Sequence, residues 1–180
     1  DGTFIYVRPA GALGTICKLT MEGVVVSVHN VGATLAGLSG NSLALTSSKG
    51  CLFIQPTVPS ASGNTSLYCI DLTDFSITSR TLPTGKGLFP GTVWLYGNLI
   101  DFPDGRIGAV SKPYTAAEYA ALSLAIPTCP LTHCKVLRLY TLSGTGKNVV
   151  ATWSEDIVIA ENEYWPTDDH GIATDGTYLY

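Results

Sequence analysis

The sequence predicts an all-β fold built from many short strands. Runs rich in β-branched and aromatic residues recur along the chain between clusters of Gly, Pro, Asn and Asp. Of the 180 residues 46% are hydrophobic and only 13% are charged. This composition excludes a disordered chain, which needs low hydrophobicity and high net charge, and a coiled coil, which needs Ala, Glu, Lys, Leu and Arg in bulk.

About fourteen antiparallel strands are predicted from this pattern. They cover residues 3–7, 15–20, 24–28, 42–46, 52–55, 67–72, 75–81, 92–96, 99–102, 106–110, 135–142, 149–153, 157–160 and 177–180. One short helix interrupts them near 115–124. Thr115 and Glu118 form a capping-box pattern before good helix formers, and Pro113 and Pro127 flank the segment.

A weak internal repeat runs through the chain. Asp1-Gly-Thr-Phe-Ile-Tyr6 is similar to Asp175-Gly-Thr-Tyr-Leu-Tyr180, and Lys49-Gly50 and Asp104-Gly105 also form turns before apolar strands. These anchors divide a single domain, 1–180, into repeats 1–48, 49–103 and 104–174, the last one containing the helix. Each repeat is predicted to fold as one antiparallel unit that stacks on its neighbours.

With these strand-opening segments the chain resembles β-propeller repeat proteins, in which such a segment begins a blade. The resemblance implies one blade per repeat, and three blades alone would leave sheet edges open. The alternative architecture is a β-sandwich or jelly roll of pilin-like type with a donated terminal strand, for which residues 1–9 are the candidate donor. Both alternatives predict strand pairing between molecules.

The cysteines and one sequon favour an extracellular, secreted glycoprotein. Cys129 and Cys134 bracket a tight loop, and Cys51 and Cys69 flank a polar loop, so two disulfides are predicted with Cys17 left over. Buried free thiols and a metal site are the alternatives. Asn64 begins the sequon Asn-Thr-Ser in the same polar loop and is the predicted glycosylation site.

One segment near the carboxyl end combines aromatic and acidic residues. The candidate ligand-binding residues are Tyr164, Trp165, Asp168, Asp169 and His170. Aromatic faces beside carboxylates suit a carbohydrate, and the carboxylates could also hold Ca²⁺. The alternative is a polar turn with Trp165 packed on the core. No catalytic residue is predicted, because neither the three histidines nor the many possible pairs of carboxylates select a site.

Charge and hydropathy narrow the function classes. A net charge of −4 and a pI of about 5.2 disfavour nucleic-acid binding. No apolar run is long enough for a transmembrane helix. Asp1 in place of Met fits either a mature secreted chain or a segment cut from a longer protein.

The sequence predicts a non-enzymatic extracellular module, without a cofactor, that assembles with copies of itself or with a larger surface structure as a fibre subunit or adhesive protein. Strand pairing between molecules and apolar burial would hold the assembly together. A carbohydrate-binding propeller or lectin is the first alternative, and a glycoside hydrolase on an all-β scaffold is the second.

Overall fold

Three antiparallel sheets form the fold, which confirms the all-β prediction. The structure is a computed structural model that describes residues 2–9, 11–12, 14–37, 43–44, 48–54, 66–88, 99–111, 114–128, 132–160, 174–175 and 177–178. Each sheet is an up-and-down meander, in which strands that follow one another in sequence pair side by side.

Sheet 1 consists of β1 (Phe4–Val7), β2 (Thr15–Thr20) and β3 (Val25–Asn30), with β2 in the centre. The short helix α1 (Ala33–Gly37), which the sequence pattern did not predict, follows it. Strand β1 pairs with β2 of its own chain, from Phe4 opposite Thr20 to Val7 opposite Cys17. The prediction that residues 1–9 are donated to a neighbour is therefore wrong for this structure, because β1 is already an integral strand of sheet 1.

Sheet 2 consists of β4 (Leu43–Ala44), β5 (Cys51–Ile54), β6 (Ser66–Asp71) and β7 (Ile77–Thr81), paired in that order. All four residues of β5 are buried. A strand that is buried on both faces needs a continuous apolar run, and Cys-Leu-Phe-Ile supplies one.

Sheet 3 consists of β8 (Leu99–Asp101), β9 (Arg106–Val110), β10 (Cys134–Ser143) and β11 (Val150–Ala160). The two strands predicted over 149–153 and 157–160 are one long strand, which a register shift opposite Leu139 and Tyr140 bends without breaking. Helix α2 (Ala116–Ala121) lies between β9 and β10. Its Thr115 side chain accepts from the Glu118 N–H and the Glu118 carboxylate accepts from the Thr115 N–H, so the predicted capping box is confirmed.

Sheet 2 lies between the other two sheets, because alternate residues of its strands belong to different apolar clusters. Cys51 and Phe53 pack with the face of sheet 3 that carries Val136 and Tyr140. Leu52, Ile54 and Ile70 point the other way and pack with Tyr6, Ile16 and Leu35. Arg80 of β7 fastens the first interface, donating from Nε to the Val149 carbonyl at 2.7 Å.

The predicted repeats and the observed sheets are offset by one strand. Strands β4 and β8, which open sheets 2 and 3, end before the Lys49-Gly50 and Asp104-Gly105 turns that open the second and third repeats. At the carboxyl end, Thr177 and Tyr178 are not in a strand, contrary to the prediction over 177–180, and Tyr178 is exposed. The strand predicted over 92–96 lies outside the described residues.

Candidate functional site

The predicted ligand segment is not part of what the structure describes. Outside the described residues lie Tyr164, Trp165, Asp168, Asp169, His170, the sequon residue Asn64 and Cys129. Their roles in binding, glycosylation and disulfide pairing stay predictions. Within the described ranges, no group of three or more His, Cys, Asp or Glu side chains is arranged to hold a metal ion.

The structure describes two of the three histidines, His29 and His133. His29 packs and forms a hydrogen bond within the fold, whereas His133 is exposed. The His29 ring stacks on Phe75 with 3.4 Å between ring centroids and 4° between planes. Its Nε2 is 2.7 Å from the Ser27 hydroxyl. His133 is exposed beside Cys134. His29 thus joins β3 to the turn that precedes β7.

Cys51 and Cys69 are free thiols in the structure, so the predicted disulfide between them is not formed. They lie on the same face of sheet 2, but Cys51 pairs with Asp71 and Cys69 with Phe53, which makes them diagonal neighbours. Both thiols donate to the Gly146 carbonyl, at 2.9 and 3.7 Å. The hydrogen bond with Cys51 and burial raise the pKa of Cys69 above its ordinary value. Cys134 is disulfide-bonded, and Cys129 remains its predicted partner.

Thiol counting distinguishes this arrangement from the predicted one. We expect the unreduced, denatured protein to contain the three thiols of Cys17, Cys51 and Cys69. In the native protein only Cys17 should react quickly with a thiol reagent, because Cys51 and Cys69 are buried. A single thiol in the denatured, unreduced protein would instead establish the Cys51–Cys69 disulfide.

A pocket of about 480 Å³ opens where the ends of sheets 2 and 3 meet. Three segments that are far apart in sequence line it. They are Lys49 and Gly50 before β5, Asp71 and Thr73 at the end of β6, and Thr145, Gly146, Lys147 and Asn148 between β10 and β11. Most of these residues are hydroxyl-bearing, amide-bearing or charged, so the pocket is equipped for hydrogen bonding to a polar molecule.

The Asp71 carboxylate forms the anionic wall of this pocket. Its Oδ1 accepts from the Thr73 N–H and its Oδ2 from the Lys147 N–H, each at 2.7 Å. The first of these hydrogen bonds, and then the second, hold the pKa of Asp71 below its ordinary value although burial opposes the shift. Asp71 is thus ionised at neutral pH, and each oxygen keeps accepting capacity for a further hydrogen bond.

Two lysines carry the positive charge at the pocket. The Lys147 ammonium is 3.4 Å from the Asp74 carboxylate, in an exposed ion pair that contributes little to stability. Lys49 has a left-handed backbone with φ of 70°. Among the residues that the structure describes, nothing forms a hydrogen bond or ion pair with its ammonium.

A separate buried ion cluster joins the segments that follow α2 and β7 to sheet 3. The guanidinium of Arg138, which is fully buried, makes two hydrogen bonds to Asp156, at 2.8 and 3.1 Å. It also donates to the carbonyls of Gly87 and Ala125. Lys86 reaches the same carboxylate at 2.7 Å. These partners neutralise the buried guanidinium and accept from its donors, which is typical of a structural role.

Two further carboxylates also have protein partners. Glu155 pairs with Arg106 on the surface at 2.7 Å, and Glu118 caps α2. Trp153 is 37% exposed, and its indole N–H donates to Asp156. The geometry of these groups therefore singles out no pair of carboxylates for hydrolysis.

The outer side of sheet 1 is apolar and exposed. Val24, Val25, Val26 and Val28 are 63, 57, 50 and 62% exposed, and all lie in or next to β3. Ile5 and Val7 of β1 are also exposed. Within the described part of the chain β3 pairs only with β2, so it forms one edge of sheet 1. None of the described helices is long and apolar enough to cross a membrane.

Comparisons with models of protein families, with curated proteins and with solved structures gave no match.

Proposed function

We propose that this chain is a non-enzymatic, extracellular structural or adhesive module that assembles with copies of itself through β3. The observation that carries the proposal is the run of valines, each at least half exposed, on an edge strand. Contiguous exposed apolar surface on a soluble domain marks an interaction site. An uncharged edge strand offers unpaired N–H and C=O groups to another strand.

The fit to a second copy follows from the symmetry of strand pairing. Two β3 strands can pair antiparallel about a twofold axis. Both copies then use the same surface patch, and every contact from the first copy to the second is repeated from the second to the first. Val25 pairs with Leu19 and Val28 with Cys17 across β2. The outer face of sheet 1 therefore carries no charged residue at these positions, and pairing would place two uncharged faces side by side. Native sheets usually protect such edges with Lys or Pro, and β3 contains neither.

The architecture under this proposal is propeller-like. Repeated propeller blades would produce up-and-down sheets that pack on one another in chain order. The arrangement of sheets 1, 2 and 3 therefore supports the resemblance to β-propeller repeat proteins. The β1 donor of the sandwich alternative has no such support, because β1 pairs within its own sheet.

Light scattering after size-exclusion chromatography tests the assembly over a range of protein concentrations. We expect the full chain to associate as concentration rises. Val28→Lys should weaken association by tenfold or more, because the twofold axis brings the two new charges together. The matched control is Val150→Lys, which alters a similarly exposed valine at the start of β11 in sheet 3.

Two results would contradict the proposal. The first is a wild-type chain that stays monomeric at the highest concentration reached. The second is a Val150→Lys variant that dissociates as readily as Val28→Lys, since association would then depend on general surface charge and not on β3.

A further inference from the structure

Hydrogen bonds join the two sheets at the pocket between them. Gly146 lines the pocket, and its carbonyl accepts from the thiols of Cys51 and Cys69. The next N–H, that of Lys147, donates to Asp71. These interactions attach the loop of sheet 3 to two strands of sheet 2 on one side of the pocket.

The rim of the pocket carries a strained residue. Lys49 adopts φ of 70°, a left-handed conformation that residues with a Cβ seldom adopt and that Gly, Asn or Asp would adopt with less strain. Strain of this kind persists where the side chain has a function that outweighs it. Lys49 lines the pocket, and its ammonium forms no hydrogen bond or ion pair with any described residue.

We propose that this pocket binds a small hydroxylated carboxylate of the uronic-acid type, with its carboxylate on Lys49 and Lys147 and its hydroxyls on Asp71, Thr73, Thr145 and Asn148. A volume of about 480 Å³ lies within the range of pockets that hold small molecules. Lysine ammonium groups donate to the carboxylate, and the charge-assisted hydrogen bonds so formed are the strong ones.

Asp71 selects a sugar acid over inorganic phosphate. An ionised carboxylate accepts hydrogen bonds and has none to give, so it favours a ligand that brings hydroxyl donors. The hydrogen phosphate dianion brings a single hydroxyl donor and two negative charges, so it can satisfy little of this wall and is repelled by the carboxylate. A sugar acid has a carboxylate for the lysines and several hydroxyls for the opposite side, which matches both halves of the pocket. This inference is independent of the assembly proposed through β3, because the two surfaces share no residue.

Calorimetric titration of the full chain with glucuronate, glucose and inorganic phosphate tests the ligand class. We expect saturable binding of glucuronate, with a Kd of about 1 mM or tighter. Glucose and phosphate should each bind at least tenfold more weakly, because glucose lacks the charge and phosphate has too few hydroxyl donors for the acidic side of the pocket. No saturable binding of glucuronate, or equal binding of either competitor, would overturn the proposal.

Three variants locate the ligand. Lys49→Gly and Lys147→Gln should each weaken glucuronate binding by about tenfold. Lys49→Gly should do so while Tm stays constant or rises, because glycine relieves the left-handed strain. The control is Lys135→Gln, on the second residue of β10, whose opposite end leads to the pocket. Unchanged binding in both pocket variants, or equal weakening in Lys135→Gln, would overturn the assignment to this pocket.

Discussion

Replacing Asp156 by Ala is expected to lower the free energy of unfolding by about 3–5 kcal/mol, the largest effect of any single side chain considered for this protein. The substitution removes the carboxylate that pairs with the fully buried Arg138 guanidinium, from which two backbone carbonyls still accept. It also removes the ion-pair partner of Lys86. Urea denaturation followed by circular dichroism measures the change.

The neighbouring residue provides the matched control. Glu155→Ala removes a carboxylate from the same strand, but its ion pair with Arg106 is half exposed. We expect a loss of at most about 1 kcal/mol, because exposed ion pairs contribute little. Equal losses in the two variants would show that the buried cluster stabilises the fold no more than a surface pair does.

The pH dependence of stability follows from the same cluster. Burial acts to raise the pKa of Asp156, but Arg138 and then Lys86 outweigh it, so the pKa lies below its ordinary value. A lowered folded-state pKa stabilises the fold above the unfolded-state value near 3.9, and this contribution is lost as pH falls through the folded-state pKa. The stability difference between wild type and Asp156→Asn should therefore shrink in acid. A difference that grows as pH falls would contradict this assignment.

Replacing Gly146 by Ala is expected to cost about 2–4 kcal/mol, the sum of backbone strain and overpacking. Gly146 has φ of 52°, and a Cβ there would overlap the Asp71 carboxylate. The carboxylate would have to move from its hydrogen bond with the Lys147 N–H. The loop would then lose its attachment to sheet 2, which thermal and urea denaturation both detect.

Gly23→Ala separates the two contributions. Gly23 also has a left-handed backbone, with φ of 85°, but no atom lies within 4 Å of the added Cβ. We expect it to cost only about 1 kcal/mol, from the backbone alone. If Gly146→Ala costs no more than Gly23→Ala, the contact between the loop and Asp71 is not a constraint on the fold.

The strands and the helix were predictable because their signals are local. Runs rich in β-branched and aromatic residues between turn clusters predicted β2, β6 and β9 close to their observed bounds, and Thr115 with Glu118 predicted the start of α2. The bend inside β11 was misread as a gap, because a β-bulge interrupts the alternation without ending the strand. Helix α1 was missed, since five residues are too few to establish a helical period.

The candidate pocket could not be predicted from the sequence. Lys49, Asp71 and Lys147 belong to three separate segments, and no spacing rule connects them. Lys49 and Gly50 carried a local signal as a turn before an apolar strand, but a turn of this kind has many ordinary explanations. The Cys51–Cys69 disulfide was predicted wrongly for the same reason. The polar loop between the two cysteines does not reveal the strand register, and it is the register that makes them diagonal neighbours.

The sequence by itself determined the fold class, most of the strands, the capped helix and the repeat of turn and strand, because each depends on residues within a few positions of one another. The tertiary structure decided which strands share a sheet, which faces of sheet 2 pack on which neighbour and which residues meet at the pocket. It also decided that the valines of β3 stay exposed while the apolar residues of β5 are buried on both faces. Burial depends on what the rest of the chain places opposite a strand, and that is a property of the packed molecule and not of the strand's own residues.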